Sequence, residues 1–72
     1  MDLSSTMQIR VNGEPQSLPE RATVSELLAA LGHTGKRVAV ERNGEIVPRS
    51  RHASVELASG DQIEIVIAVG GG

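Results

Sequence analysis

Three consecutive glycines, Gly70, Gly71 and Gly72, stand at the end of this 72-residue sequence, directly after "QIEIVIAV", an apolar run patterned as a strand. Glycine has no Cβ and loses more conformational entropy on ordering than any other residue, so a glycine tract neither packs nor holds one shape unaided. The chemistry open to such a tract is that of a carboxyl group on a thin lead. A carboxylate is a poor electrophile, but an adenylyl group transferred from ATP turns it into an acyl adenylate. Sulfide from a donor can then displace AMP and leave a thiocarboxylate at Gly72. The step calls for an end slim enough to thread a narrow channel, and three extended glycines reach roughly 10 Å at about 3.3 Å per residue. A side chain on the last residue would obstruct that approach.

The other reactive side chains offer less. The chain has no cysteine, which removes disulfides, thiolate metal sites and thiol nucleophiles. His33 and His52 are its two histidines, too few for a histidine-based metal site without carboxylate help. His52 lies near Ser50 and Ser54 in "RSRHAS". A catalytic triad is poorly supported there, because no Gly-x-Ser-x-Gly elbow is present and a chain this short has little room for a substrate pocket. His33 follows a predicted helix end, where a histidine commonly meets terminal carbonyls or solvent. No metal or catalytic residue is assigned. Gly-Gly is also common in linkers, so the tail gains weight from its position after a strand and not from its composition.

Composition narrows the partners. The chain lacks Phe, Tyr and Trp, so its core is aliphatic and it has no stacking platform for single-stranded nucleic acid. The net charge is -2, and Lys and Arg are scattered among carboxylates, which reads as a solvated surface and argues against a nucleic-acid partner. No apolar stretch is long enough to span a bilayer, and "MDLSST" has neither a basic nor an apolar leader region. The expectation is a cytoplasmic protein with no membrane partner, made of residues 1–6 as a disordered extension, a folded domain over 7–69 and a flexible tail over 70–72. Seventy-two residues lie near the lower limit for a core that folds without a staple.

The elements that would position the tail are legible. In "MQIRV", Met7, Ile9 and Val11 alternate with Gln8 and Arg10, as in a half-buried strand. Asn12-Gly13 signals a type I′ hairpin turn, and "EPQSL" is the return strand, with Pro15 placing it at a sheet edge. In "TVSELLAALG", Val24, Leu27, Leu28 and Leu31 form one apolar helical stripe. Thr23 and Glu26 have capping-box spacing, and Gly32 suits a left-handed C-terminal cap. "KRVAVERNGEIVP" repeats the hairpin, with Val38 and Val40 on one face, Asn43-Gly44 at the turn, Ile46 and Val47 on the return strand, and Pro48 ending it. A less regular crossing anchored by Val55 and Leu57 follows, with a turn at Ser59, Gly60 and Asp61. The last strand carries Ile63, Ile65, Ile67 and Val69 on one face.

Hairpin, helix, hairpin, crossing, strand is the order of an α+β fold of the β-grasp (ubiquitin-like) type: a mixed sheet of four or five strands with one main helix on one face and the apolar last strand near the middle. On the outward face of that strand Gln62 and Glu64 give way to Val66 and Ala68. This is either the ordinary scatter of apolar side chains on a surface or a partner patch, completed by Ala39 or Val47 of neighbouring strands.

From Met7 to Gly72 the sequence resembles the ThiS family, the sulfur carrier of thiamine biosynthesis. The resemblance is carried by "MQIRVNGEP", "TVSELLAAL", "VAVERNGEIVPRS" and "GDQIEIVIAVGGG", the second hairpin and the tail being the more specific pieces. It implies that Gly72 supplies the carboxyl group that is adenylated and thiolated, that Gly70 and Gly71 thread the partner's channel, and that the chain is a cosubstrate and not a catalyst. It implies as partners an E1-like adenylyltransferase of ThiF type, which uses ATP and magnesium, a sulfur donor such as a cysteine desulfurase, and a thiazole synthase of ThiG type as acceptor. This chain itself would bind no cofactor. The small subunit of molybdopterin synthase, another β-grasp sulfur carrier, a protein modifier joined through Gly72 to lysine, and a passive binding module stand as alternatives.

Overall fold

Two Asn-Gly pairs set the architecture, because both residues of each take up positive φ: 52° and 86° at Asn12 and Gly13, 53° and 87° at Asn43 and Gly44. Such turns twist in the same sense as the strands they join, and each closes a tight hairpin. A computed structural model of the chain describes residues 5–68. The first hairpin joins β1 (Thr6–Val11) to β2 (Glu14–Pro19), and the second joins β3 (Val38–Arg42) to β4 (Glu45–Val47). Between them lies α1 (Val24–Ala30), and after them a 3-10 turn over Arg49–Arg51 leads to β5 (Gln62–Ile67).

The five strands of the described residues form one sheet in the order β2-β1-β5-β3-β4. β5 is central, parallel to β1 and antiparallel to β3, and β2 with its Pro15 is an edge strand, as expected. The sheet is mixed and one helix covers one face, which is the β-grasp arrangement. Strand β1 begins at Thr6, one residue ahead of the Met7 at which the apolar alternation starts, and Ser5 offers its carbonyl to the Glu20 N–H at 3.1 Å. Pairing with β2 accounts for the shift: Thr6 lies opposite Pro19, so the hairpin ladder extends a residue beyond the apolar alternation that marks it in the sequence.

Helix α1 is stopped at both ends by the anticipated devices. Thr23 accepts from the Glu26 N–H at 3.2 Å while Glu26 accepts from the Thr23 N–H at 2.9 Å, a complete capping box. At the other end Gly32 takes φ 80°, its N–H reaching the Ala29 carbonyl and that of His33 the Leu28 carbonyl, the two bonds of a Schellman motif. Seven residues make a helix too short to be stable alone in water. Its stability comes from Val24, Leu27 and Leu28, buried against Ile9, Val40 and Ile63 of the three inner strands.

The crossing before β5 is pinned to the chain that precedes the helix. The Val24 N–H donates to the Val55 carbonyl at 3.1 Å and the Leu57 N–H to the Ala22 carbonyl at 2.8 Å. Leu57 is buried and Val55 partly so, which makes both the anchors expected of them. No helix among the described residues is long and apolar enough to cross a membrane.

Candidate functional site

The strand that leads toward the glycine tail is gripped from both sides. Along β3 the pairing runs from Arg42 opposite Ile63 to Val38 opposite Ile67, and continues past the strand with the Ala68 N–H donating to the Arg37 carbonyl at 2.9 Å. Along β1 the ladder is short: only Arg10 with Gln62 and Val11 with Ile63 are in register, because the chain then turns away into the first hairpin. Asn12 makes up the difference. Its backbone N–H donates to the Ile63 carbonyl at 2.8 Å, its Oδ1 accepts from the Ile65 N–H at 2.9 Å and its Nδ2 donates to the Ile65 carbonyl at 3.3 Å.

The second turn asparagine does the same at the start of β5. The Asn43 N–H donates to the Gln62 carbonyl at 2.7 Å and its Oδ1 accepts from the Gln62 N–H at 2.9 Å, while its Nδ2 reaches Asp61 Oδ1 at 3.1 Å. Asp61 Oδ2 accepts from Arg42 Nε and from the Ala58 N–H, both at 2.8 Å. Burial pushes the Asp61 carboxyl up, but the Ala58 N–H, the Asn43 amide and the Arg42 guanidinium together outweigh it and hold the group below its usual 3.8. Residues 61 to 65 are thus tied to both hairpins.

Gly70, Gly71 and Gly72, the residues assigned to the chemistry, lie outside the described residues. The candidate partner patch can be placed. Val66 is 65% exposed and Ala39, its register partner, is exposed with it on the outer face, next to exposed Ala68. Val47 does not belong to the patch: it is only 8% exposed, because the tight turn sets Arg42 opposite Glu45 and so Val47 opposite the fully buried Val40. The outward residue of β4 is Ile46, 61% exposed. Counting outward from the Asn43-Gly44 turn finds it from sequence alone. Ile67, expected on the covered face, is 40% exposed.

Among the described residues the histidines and serines form no catalytic unit. His52 is buried with Nε2 3.1 Å from the Val47 carbonyl, its own carbonyl accepts from the Ser25 N–H at 2.8 Å, and the Ser54 hydroxyl donates to the Arg51 carbonyl at 3.2 Å. His33, expected to face terminal carbonyls or solvent, instead holds a buried Nδ1 with no hydrogen-bond partner among the described residues. Among the same residues no group of three or more His, Asp or Glu is placed to hold a metal ion.

A five-stranded mixed sheet under a single capped helix, with its last strand central and directed toward a glycine end, defines a ubiquitin-like β-grasp domain. The ThiS family model matches residues 9–72, and the chain belongs to that family. The sulfur carrier protein ThiS of Bacillus subtilis is 47% identical over 53 residues, covering 74% of this chain and 80% of that protein. A thiazole synthase of Paramagnetospirillum magneticum is 47% identical over 66 residues, which is 92% of this chain but 20% of that protein, so the chain spans about one fifth of the length of this relative. The crystal structure of a thiamine biosynthesis protein, ThiS, from Geobacter metallireducens superposes with a TM-score of 0.77 at 36% identity, covering 92% of this chain and 100% of that one.

Proposed function

We propose that this chain is a sulfur carrier for thiazole formation in thiamine biosynthesis, with the Gly72 carboxyl group as the carrying atom set. The observation that supports this most is the continuity of the family match from β1 through β5 to residue 72, so that it includes the glycine tail as well as the fold. The chemistry follows from the carboxylate. Its oxygen attacks the α-phosphorus of ATP and expels pyrophosphate; sulfide, released from the donor's persulfide by a thiol reductant, then attacks the acyl carbon and expels AMP, leaving the thiocarboxylate. ATP and magnesium belong to an E1-like adenylyltransferase of ThiF type, the sulfur to a donor such as a cysteine desulfurase. The chain is a cosubstrate in this scheme, and the doubly clamped β5 gives it a fixed body from which to present Gly70, Gly71 and Gly72.

A thiazole synthase of ThiG type is the proposed acceptor. A region like this chain occurs within a thiazole synthase of Paramagnetospirillum magneticum, which favours that acceptor over molybdopterin synthase. Ala39, Ile46, Val66 and Ala68 are the proposed contact patch for these partners, since an apolar group on an otherwise polar sheet face is a common mark of docking.

The test is intact-protein mass spectrometry after incubation with such an adenylyltransferase, ATP, magnesium and a sulfur donor. Replacement of one oxygen by sulfur, mapped to the C-terminal peptide, is the expected result. An unchanged mass with a demonstrably active enzyme, repeated across candidate activating partners, would overturn the reading.

A further inference from the structure

Away from the tail and the outer sheet face, a depression of about 210 Å³ opens beside α1. Its walls come from three places. Ser25 and Leu28 belong to the helix; His33, Thr34 and Lys36 to the loop after it; Arg49 and His52 to the 3-10 turn. Hydrogen bonds fix each wall: the Lys36 N–H donates to the His33 carbonyl at 3.0 Å, the Ser25 N–H to the His52 carbonyl at 2.8 Å, and the His52 N–H to the Arg49 carbonyl at 3.1 Å. The lining is cationic and hydroxylic, with Lys36, Arg49, Ser25 and Thr34 but no carboxylate.

This lining departs from the net negative charge of the chain. The chain is acidic overall, yet four of its seven Lys and Arg residues, Lys36, Arg37, Arg49 and Arg51, fall in the two segments that meet at the depression. No Asp or Glu occurs between Glu26 and Glu41 or between Glu45 and Glu56. Glu26, adjacent to Ser25, has its carboxylate turned to the Thr23 N–H. Among the described residues neither Lys36 nor Arg49 has an ion-pair partner, the one salt bridge there being Arg42 with Asp61. His33, with its unpartnered buried Nδ1, lines the same wall. Buried polar atoms are rarely left unpaired.

We propose that this depression is a binding site for a phosphate group, held by Lys36 and Arg49 with the Ser25 and Thr34 hydroxyls as further donors. Guanidinium and ammonium groups lining one concave surface suit a tetrahedral oxyanion, whose oxygens accept several charge-assisted hydrogen bonds at once. The depression is open to solvent, so a phosphate group enters by displacing water, with no need to move the core. The proposal is independent of the sulfur-carrier reading, since it involves neither the tail nor the apolar patch.

The experiment is a titration of the ¹⁵N-labelled chain with inorganic phosphate, and separately with glycerol phosphate, against chloride at equal ionic strength. Saturable shifts confined to residues 33 to 36, 49 to 52 and Ser25 are expected. Lys36→Gln and Arg49→Gln should each weaken binding about tenfold, the effect of losing one charge-assisted contact, while Arg10→Gln on the far face leaves it unchanged. Both target side chains are exposed, and a preserved spectrum verifies that the variants fold. Tighter binding of the ester identifies an organic phosphate as the ligand, and equal binding identifies free phosphate; either supports the site. Shifts that chloride reproduces, that fail to saturate, or that survive Arg49→Gln in full would overturn it.

Discussion

Asn12 and Ile65, 53 residues apart, are joined by a pair of hydrogen bonds in which a side-chain amide takes the place of a strand: Oδ1 accepts from the Ile65 N–H at 2.9 Å and Nδ2 donates to its carbonyl at 3.3 Å. The same residue adopts φ 52° in the first hairpin turn. One side chain therefore closes a turn and lengthens the short ladder between β1 and β5.

Asn12→Gly separates these two roles, because glycine keeps the turn and removes only the amide. Loss of two hydrogen bonds at about 1 kcal/mol each predicts destabilisation of about 1–2 kcal/mol. Amide exchange at Ile65 should accelerate while that at Leu31, whose N–H is held by the Leu27 carbonyl in the helix, changes only with global stability. Equal stability and unchanged Ile65 protection would show that the clamp has no energetic role.

Neighbouring residues of β4 should respond in opposite ways. Val47→Thr buries a hydroxyl against Val40 with no assigned partner and should cost about 1–3 kcal/mol by denaturant unfolding. Ile46→Thr alters an exposed, β-branched position and should change stability by no more than about 0.5 kcal/mol. If Ile46 belongs to the partner patch, its substitution should weaken binding to an adenylyltransferase or thiazole synthase while Val47→Thr acts through stability alone. Loss of fold in Ile46→Thr would reverse the assignment of the two faces.

Most of the frame was legible because it rests on local rules. Asn-Gly pairs, a Thr-Glu capping box and a glycine after a leucine stripe each specify backbone conformation within a few residues, and all are found in place. What escaped is non-local. That Asp61 pairs with Arg42, or that the two turn asparagines reach across to β5, depends on the sheet order, which brings residues 18 to 53 positions apart into contact. The Asn-Gly signal was already accounted for by the turn, so nothing in it pointed to a second role. Val47 is a different case: the register of a two-residue turn determines its face, and local hydrophobicity alone does not distinguish it from Ile46.

The helix end offers a check on one of these local rules. Gly32 has φ 80°, and a Cβ there would meet no heavy atom within 4 Å, so replacement by alanine tests backbone strain without a clash. Gly32→Ala should cost about 1–2 kcal/mol, the penalty of a left-handed conformation for an L-residue. Thr23→Ala at the opposite end should cost about 1 kcal/mol through loss of the cap. A neutral Gly32→Ala would mean that the Schellman bonds re-form in another geometry.

Asp61 makes stability depend on acidity, and the direction follows from its environment. Burial alone would raise its carboxyl, but the Ala58 N–H, Asn43 and Arg42 favour the ionised form more strongly, so the folded value lies below 3.8. The folded state then binds the proton less readily than the unfolded chain. The stabilisation is fully present above the unfolded value and fades as pH falls through it toward the folded one. Asp61→Asn should be less stable than the parent chain near neutral pH, because Arg42 loses its partner and the Ala58 N–H its charged acceptor. The difference between the two, followed by urea unfolding, should narrow steadily below about pH 4, as protonation removes from the parent what the substitution has already removed. A gap that stays constant down to pH 2 would place the carboxylate's contribution in shape and hydrogen bonding, and not in its charge.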